Sequence, residues 1–182
     1  MTHRSIRSLI LTALVALAAL AAIPWSAAAQ QASPAACPPL SPEAIEARVQ
    51  EFADAVDAED LDRLSALLAP DHQHHWSGET LDRDTYLDRM GALFDAYDDY
   101  SFTTEQIITG DGEVALRFTA SGTLVRPFNG IGGNDTSATW TGILIFTLDD
   151  CGQVTEIWAA VDHLGRLRQH GAITLPEATP GT

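Results

Sequence analysis

The spacing of apolar residues first follows a helical period and later a strand period. Residues 42–56 and 82–97 carry apolar side chains every three or four positions, which predicts two amphipathic helices. A shorter helix begins after Asp60, whose side chain can cap it, and must end near Pro70 because proline removes a helical hydrogen bond. Three helices are therefore predicted before the first long strand.

Beyond residue 99 the period changes to two, as in strands whose two faces differ. Four long strands are predicted, at residues 100–109, 113–125, 139–148 and 153–163. The third of them is apolar on both faces, which predicts that both faces are covered. Residues 72–76 are predicted as an edge strand or an extended loop, and residues 165–171 as a short turn or helix.

The order of these elements predicts the fold class. Helices come first and long strands follow, which is typical of an α+β domain with an antiparallel sheet. A curved sheet wrapped over three helices leaves a cavity between the two layers. We therefore expect a pocket for a small apolar molecule.

The N-terminus has the three-part pattern of a secretory signal peptide. Arg4 and Arg7 precede an apolar stretch at residues 9–23 and small residues at 27–29. An uncleaved N-terminal anchor is the alternative. We expect a secreted or cell-envelope protein that does not contact the membrane after cleavage. The predicted organisation is a signal peptide at 1–29, a flexible Pro/Ala-rich arm at 30–41, one domain at 42–173 and a disordered tail at 174–182.

Composition excludes several classes of function. The net charge of −15 repels phosphate backbones and anionic lipids, so nucleic acids and membrane surfaces are not expected as partners. All ten basic residues are arginine, which excludes Schiff-base chemistry on lysine. The sequence also lacks the Gly-x-Ser-x-Gly elbow of α/β-hydrolases.

The two cysteines fit an exported protein. Cys37 lies in the Pro-rich arm and Cys151 in a turn between two predicted strands. An even number of cysteines in a secreted chain favours a disulfide, and two free thiols are the alternative. The bond would close a loop of more than a hundred residues, which on the chain-entropy model stabilises the fold by about 4–5 kcal/mol.

Four blocks of sequence carry a resemblance to a known family. They are Asp60–Asp71, His74–His75, Gly110–Thr123 and Gly152–Gly171. In this order and spacing they resemble the SnoaL-like polyketide (ester) cyclases of the nuclear-transport-factor-2-like superfamily, over about residues 42–173. The resemblance implies a cone-shaped α+β fold in which three helices pack on a curved, mostly antiparallel sheet and enclose a pocket.

The resemblance also implies a chemistry. In the family's cyclases the aspartate of the closing block acts as general acid and base in an intramolecular aldol ring closure, without metal or cofactor. That residue is Asp162 here, and His75 matches a histidine expected to hydrogen-bond a ligand oxygen. Two departures replace polar pocket residues of the family by Leu124 and Ile157.

Strand geometry gives Asp162 two interpretations. Trp158, Ala160 and Asp162 are two residues apart and share one face of an extended strand. If this face lines the pocket, poor solvation raises the pKa of the carboxyl and suits it to proton transfer. Alternatively, Asp162 lies at a strand end in water or caps the turn at Gly165. We expect the pocket to be lined by Trp158, His74, Leu124, Phe118 and Trp140.

His72, His74 and His75 form the densest group of candidate metal ligands. His72 and His74 share a face if the segment is extended, and this spacing can bind zinc or copper. A third ligand is missing nearby, so no metal site is predicted and a polar edge segment is the simpler interpretation.

Three functions remain open from the sequence. One is an enzyme, of the cyclase or isomerase type, that uses Asp162 and His75 on a small carbonyl compound. Another is a non-catalytic extracytoplasmic module that binds an apolar metabolite. The third is an interaction domain that forms a homodimer through an unusually apolar outer sheet face.

Overall fold

We analysed a computed structural model of the chain, which describes residues 37–110 and 113–174. The predicted signal peptide, most of the predicted arm and nearly all of the predicted tail lie outside the described residues. Within the described residues no helix is both long enough and apolar enough to cross a membrane.

Four helices are present within residues 37–110 and 113–174, and each begins at a side chain that caps it. They are α1 (Pro42–Asp57), α2 (Leu61–Leu67), α3 (Arg83–Ala96) and α4 (His163–Gln169). The capping oxygens belong to Ser41, Asp60, Asp82 and Asp162, and each accepts a hydrogen bond from a backbone N–H of the first turn. The segment predicted as a terminal turn or helix is the fourth helix.

In the part of the chain that the structure describes, six strands form one open, mixed sheet. They are β1 (Leu68–Trp76), β2 (Glu79–Asp82), β3 (Tyr97–Thr109), β4 (Glu113–Leu124), β5 (Thr136–Leu148) and β6 (Val154–Val161). Their order is β2-β1-β6-β5-β4-β3. Neighbouring strands are antiparallel except β1 and β6, which run parallel. The predicted α+β class and the cone-shaped fold are confirmed.

Two details of the sequence prediction are wrong. The predicted edge segment at residues 72–76 is an inner strand, because β2 folds back beside it and takes the edge. β5 is covered on one face only, with Ile143 45% and Ile145 38% exposed on the other. On the inner face, Phe146 packs against Phe52 of α1, and α4 contacts β5, the strand that carries the buried Trp140.

The disulfide joins Cys37 to Cys151, as predicted, with their Cα atoms 5.1 Å apart. It attaches the segment before α1 to the turn between β5 and β6. The two cysteines are 114 residues apart, so the bond removes much of the freedom of the unfolded chain.

Candidate functional site

A cavity of about 110 Å³ lies between the helices and the inner face of the sheet. Its walls are mainly aromatic and aliphatic and include Phe52, Tyr100, Phe102, Phe118, Trp140 and Leu144. The ring of Phe118 lies over Gly142 of the next strand, where any side chain would collide with it. This wall favours the hydrocarbon part of a small molecule.

Besides the hydroxyls of Tyr86 and Tyr100, five polar side chains interrupt the apolar lining of the cavity. They are His74, Trp76, Arg89, His163 and Arg166. None of the aspartates or glutamates in the described part of the chain lines it. The charged side chains that line the cavity are therefore both arginines, in a protein whose net charge is −15.

Arg166 extends from α4 into the cavity and is only 5% exposed. Its guanidinium carbon lies 5.5 Å from the ring centre of Phe128 and 5.3 Å from that of Trp140. Its Nη2 lies 3.4 Å from Nδ1 of His163, and its buried Nε has no hydrogen-bond partner among the described residues. Burial lowers the pKa of this guanidinium, yet arginine stays charged at neutral pH.

His163, the first residue of α4, is positioned by a hydrogen bond from the indole of Trp76. The ring N–H of Trp76 donates a hydrogen bond to Nε2 of His163. Burial first, and then the nearby charge of Arg166, lower the pKa of His163 to about 4. The imidazole is therefore neutral at physiological pH.

His74 enters the cavity from β1. Its ring stacks on Tyr86, with centres 4.4 Å apart, and its buried Nδ1 has no hydrogen-bond partner within the described residues. Burial, with a smaller contribution from the neighbouring histidines, lowers the pKa of His74 to about 3. Burial also raises the pKa of the Tyr86 and Tyr100 hydroxyls, so both phenols stay protonated.

Comparison with known families identifies this arrangement. The family model described as "SnoaL-like polyketide cyclase" matches residues 47–170. The chain belongs to this family. No match is found among curated protein sequences.

Solved structures show the same fold as this SnoaL-like protein. AclR from Streptomyces galilaeus is 22% identical with a TM-score of 0.68, over 74% of this chain and 100% of its own. TsrD from Streptomyces laurentii is 24% identical with a TM-score of 0.67, over 74% and 99%. IdmH from Streptomyces antibioticus is 24% identical with a TM-score of 0.61, over 70% and 98%.

Asp162 lies outside the cavity of this SnoaL-like protein, contrary to its predicted placement. Ala159 and Val161 of β6 line the cavity, so the alternation of the strand turns Trp158, Ala160 and Asp162 to the other side. The exposed Asp162 carboxylate instead accepts a hydrogen bond of 2.8 Å from the Gly165 N–H. This is the capping arrangement that the sequence left as the alternative.

His75 and Trp158 also lie outside the cavity. Their rings stack with centres 3.9 Å apart, and Trp158 is 54% exposed. Nε2 of His75 lies 2.7 Å from a carboxylate oxygen of Glu156, and Nδ1 lies 3.0 Å from the Thr80 hydroxyl. Both ring nitrogens are thus engaged on the outer face, because neighbouring residues of β1 alternate and His74 points inward.

Three other predicted pocket residues, His74, Phe118 and Trp140, line the cavity. Leu124 does not. It is fully buried at the end of β4, where it pairs with Tyr97 of β3. Its side chain is part of the core beside the site.

The three candidate metal ligands, His72, His74 and His75, do not lie together, because side chains alternate between the two faces of β1. His72 is buried and its Nδ1 donates a hydrogen bond of 3.0 Å to the Val154 carbonyl, whereas His75 is on the opposite face. Among the residues that the structure describes, no group of three or more His, Cys, Asp or Glu side chains could hold a metal ion.

Sequence reasoning missed Trp76, His163 and Arg166 as cavity residues. Arginine is rarely buried, so a composition-based reading leaves Arg166 on the surface. Its position on α4 still carried a signal. Arg166 lies four residues before His170, which is also buried, and this spacing places both on one helix face.

Proposed function

We propose that this SnoaL-like protein is an acid–base catalyst of the cyclase or isomerase type, acting on a small, mainly apolar carbonyl compound. The observation that carries the proposal is the pairing of an unprotonated imidazole, His74, with protonated phenols in an otherwise apolar cavity. Removal of a proton next to a carbonyl requires a base and a hydrogen-bond donor to the developing enolate oxygen.

His74 is the better proton acceptor of the two cavity histidines. His163 already receives the Trp76 N–H at its Nε2, whereas Nδ1 of His74 has no partner in the described part of the chain. The pKa of His74 is about 3 with the cavity empty, which makes it a weak base. An enolate formed beside it would favour the imidazolium and so offset the effect of burial.

The phenols complete the arrangement. Tyr86 stacks on His74, and Tyr100 lines the same cavity. Because burial keeps both hydroxyls protonated, either can donate a hydrogen bond to an enolate oxygen. Proton transfer to and from carbon is then sufficient for ring closure or isomerisation.

Exchange of α-protons tests this proposal without knowledge of the natural substrate. We would follow the loss of the α-proton NMR signal of 2-indanone, an apolar ketone, in D₂O. The protein should accelerate exchange, and His74→Gln should reduce this acceleration by about a hundredfold, in the range typical of a lost general base. His75→Gln, which changes a neighbouring imidazole on the outer face, is the matched control and should retain it.

The second candidate is a non-catalytic binding module for an apolar metabolite. The absence of carboxylates from the lining, among the described residues, favours this alternative. Saturable binding of 2-indanone with exchange at the buffer rate would support it and contradict the enzyme proposal.

We also propose that two copies pair through the outer sheet face. Ile143, Ile145 and Trp158 are exposed together there, on the neighbouring strands β5 and β6. Arg117 and Glu156 lie on the same face, so a twofold arrangement can bring opposite charges together at its rim. Trp158→Arg should convert a dimer into a monomer in sedimentation experiments, whereas Leu164→Arg, at an exposed position on α4, should not.

An extracytoplasmic location is a further part of the proposal. It is supported by the signal-peptide pattern of residues 1–29 and by the Cys37–Cys151 disulfide, a bond that persists in oxidising compartments. Fractionation of a bacterial host that expresses the full chain, with N-terminal sequencing, tests it. A protein that retains residue 1 in the cytoplasm would contradict it.

A further inference from the structure

Among the described residues, Arg166 is the only Arg, Asp or Glu that is buried, with 5% of its surface exposed. Removing a cation from water is unfavourable unless an anion replaces the lost hydration. The chain has 25 acidic residues, yet no carboxylate lies within ion-pair distance of Arg166 in the described part of the chain. The fold therefore holds a buried positive charge without a protein counter-ion.

The surroundings of this guanidinium satisfy it only in part. The rings of Phe128 and Trp140 lie against it and provide cation–π attraction. Rings contact the faces of a guanidinium and leave its N–H edges free. The nearest polar atom is Nδ1 of His163, at 3.4 Å from Nη2, but this nitrogen carries the ring proton because Nε2 accepts the Trp76 N–H, so it cannot accept from Arg166. Nε of Arg166 has no hydrogen-bond partner among the described residues.

Arg89, the other arginine of the cavity, is arranged differently. It lies 3.3 Å from a carboxylate oxygen of Glu79 and 4.5 Å from the ring centre of Trp76, and it is partly exposed. Its charge is thus already matched within the protein. The contrast identifies Arg166 as the uncompensated cation of the cavity.

We propose that Arg166 binds the carboxylate of a small, mainly apolar organic acid whose hydrocarbon part lies against the aromatic wall of the cavity. A guanidinium matches a carboxylate with two parallel N–H···O bonds. One uncompensated cation favours a monoanion over a doubly charged phosphate ester. The inference concerns the same cavity as the proposed function and specifies the class of compound that enters it.

The size of the cavity narrows this class. Cavities of about 150 Å³ accommodate a molecule of the size of benzene, and the cavity here is about 110 Å³. The cavity is smaller than this, so an acid with one short branched chain fits it as it stands, and an acid with one ring enters when side chains of the wall move apart. Phenylacetate is a suitable probe because its ring suits the wall formed by Phe102 and Phe118, whose rings stack with centres 4.4 Å apart.

A pair of probes of equal shape separates charge recognition from apolar binding. We would measure the Kd of phenylacetate and of phenylacetamide by calorimetry at pH 7 with the wild-type protein. The acid should bind at least tenfold more tightly than the neutral amide. Because this comparison uses the wild-type chain, it does not depend on whether a variant folds.

Variants then assign the preference to one residue. Arg166→Met should remove the preference for the acid, and the amide should bind within about threefold of its wild-type Kd. Arg168→Met is the matched control, since Arg168 is on the same helix but exposed, and it should retain the preference. Both variants remove one positive charge, so a difference between them does not come from the change in net charge.

Three results would overturn the inference. They are equal affinity for the two probes in the wild type, a preference that survives Arg166→Met, and no binding of either probe. If the two probes bind equally, the cavity accepts small apolar molecules and the proposed acid–base function is unaffected. If the wild-type protein does not accelerate the exchange of 2-indanone protons, the proposed function is contradicted. The preference of the cavity for a carboxylate is unaffected by that result.

Discussion

The indole N–H of Trp76 donates a hydrogen bond to Nε2 of His163, and this bond links the end of β1 to the first turn of α4. It fixes the neutral imidazole with its proton on Nδ1, because Nε2 is the acceptor. Both side chains line the cavity. The position of α4, and of Arg166 on it, therefore depends on a contact with a strand far away in sequence.

Replacing Trp76 by Phe tests the structural value of this hydrogen bond. The phenyl ring retains most of the apolar surface, but Nε2 of His163 loses its donor. We expect the free energy of unfolding to fall by about 1 kcal/mol, the usual value of one hydrogen bond, in addition to the loss from the smaller ring. Urea denaturation measures it. A free energy of unfolding that falls by no more than the loss expected from the smaller ring would contradict this value.

Stability should decrease in mild acid. Burial lowers the pKa of His74 to about 3 and of His163 to about 4, whereas both titrate near 6.5 when the chain unfolds. Below pH 6.5 the two histidines bind protons in the unfolded chain but not in the folded chain. The stability that the neutral, buried rings contribute is therefore complete above pH 6.5 and is lost as the pH falls towards their folded pKa values.

Urea denaturation at pH 7.5, 6.5, 5.5 and 5.0 measures this effect. Each of the two histidines can contribute up to about 1.4 kcal/mol per pH unit in the lower part of the range. His74→Gln should reduce the slope. An unfolding free energy that stays constant from pH 6.5 to 5.0 would contradict the buried, neutral state of both rings.

Asp162 allows a direct comparison between family resemblance and geometry. The structure gives it a capping role, and a side chain at Gly165 would collide with its carboxylate. Asp162→Ala should lower the free energy of unfolding by about 1 kcal/mol. Asp162→Asn preserves a capping oxygen, so its stability and its exchange of 2-indanone protons should remain close to wild type. Loss of exchange in the stable Asn variant would restore Asp162 as the catalytic acid or base.

Arg166→Met should stabilise the protein in the absence of ligand. The variant removes a buried charge without an anionic partner and retains a side chain of similar length. The free energy gained by removing the buried charge should exceed the cation–π attraction that is lost, which is about 1 kcal/mol. We expect the Tm to rise by about 2–4 °C, which corresponds to about 1 kcal/mol for a chain of this size. Differential scanning calorimetry measures it, and a lower Tm would assign Arg166 to structural packing.

The sequence predicted the elements of the fold well because periodicity reports which residues share a face. It could not show which of two faces is inside when both are apolar. Both faces of β6 carry apolar residues: one has Ile157, Ala159 and Val161, and the other has Trp158 and Ala160. The large indole of Trp158 suggested that its face lines the pocket, which is wrong. The same choice placed Asp162 in the pocket.

The polar residues of the site were harder to predict for a different reason. Arg166 and His163 are on a helix of seven residues, too short for a clear hydrophobic pattern. Their positions depend on tertiary contacts with Trp76 and Trp140, which no local period reveals. His74 could be predicted because it is on a strand that alternates between a buried and an exposed side.

The parallel pairing of β1 with β6 has a consequence for synthesis. β1 ends at Trp76 and β6 begins at Val154, so a ribosome must add nearly the whole domain before these strands can meet. The nascent chain holds His74 long before it holds Arg166. The cavity is thus completed only once α4 has been translated, and a chain that stops before α4 would lack Arg166 and would expose the apolar wall that is already formed.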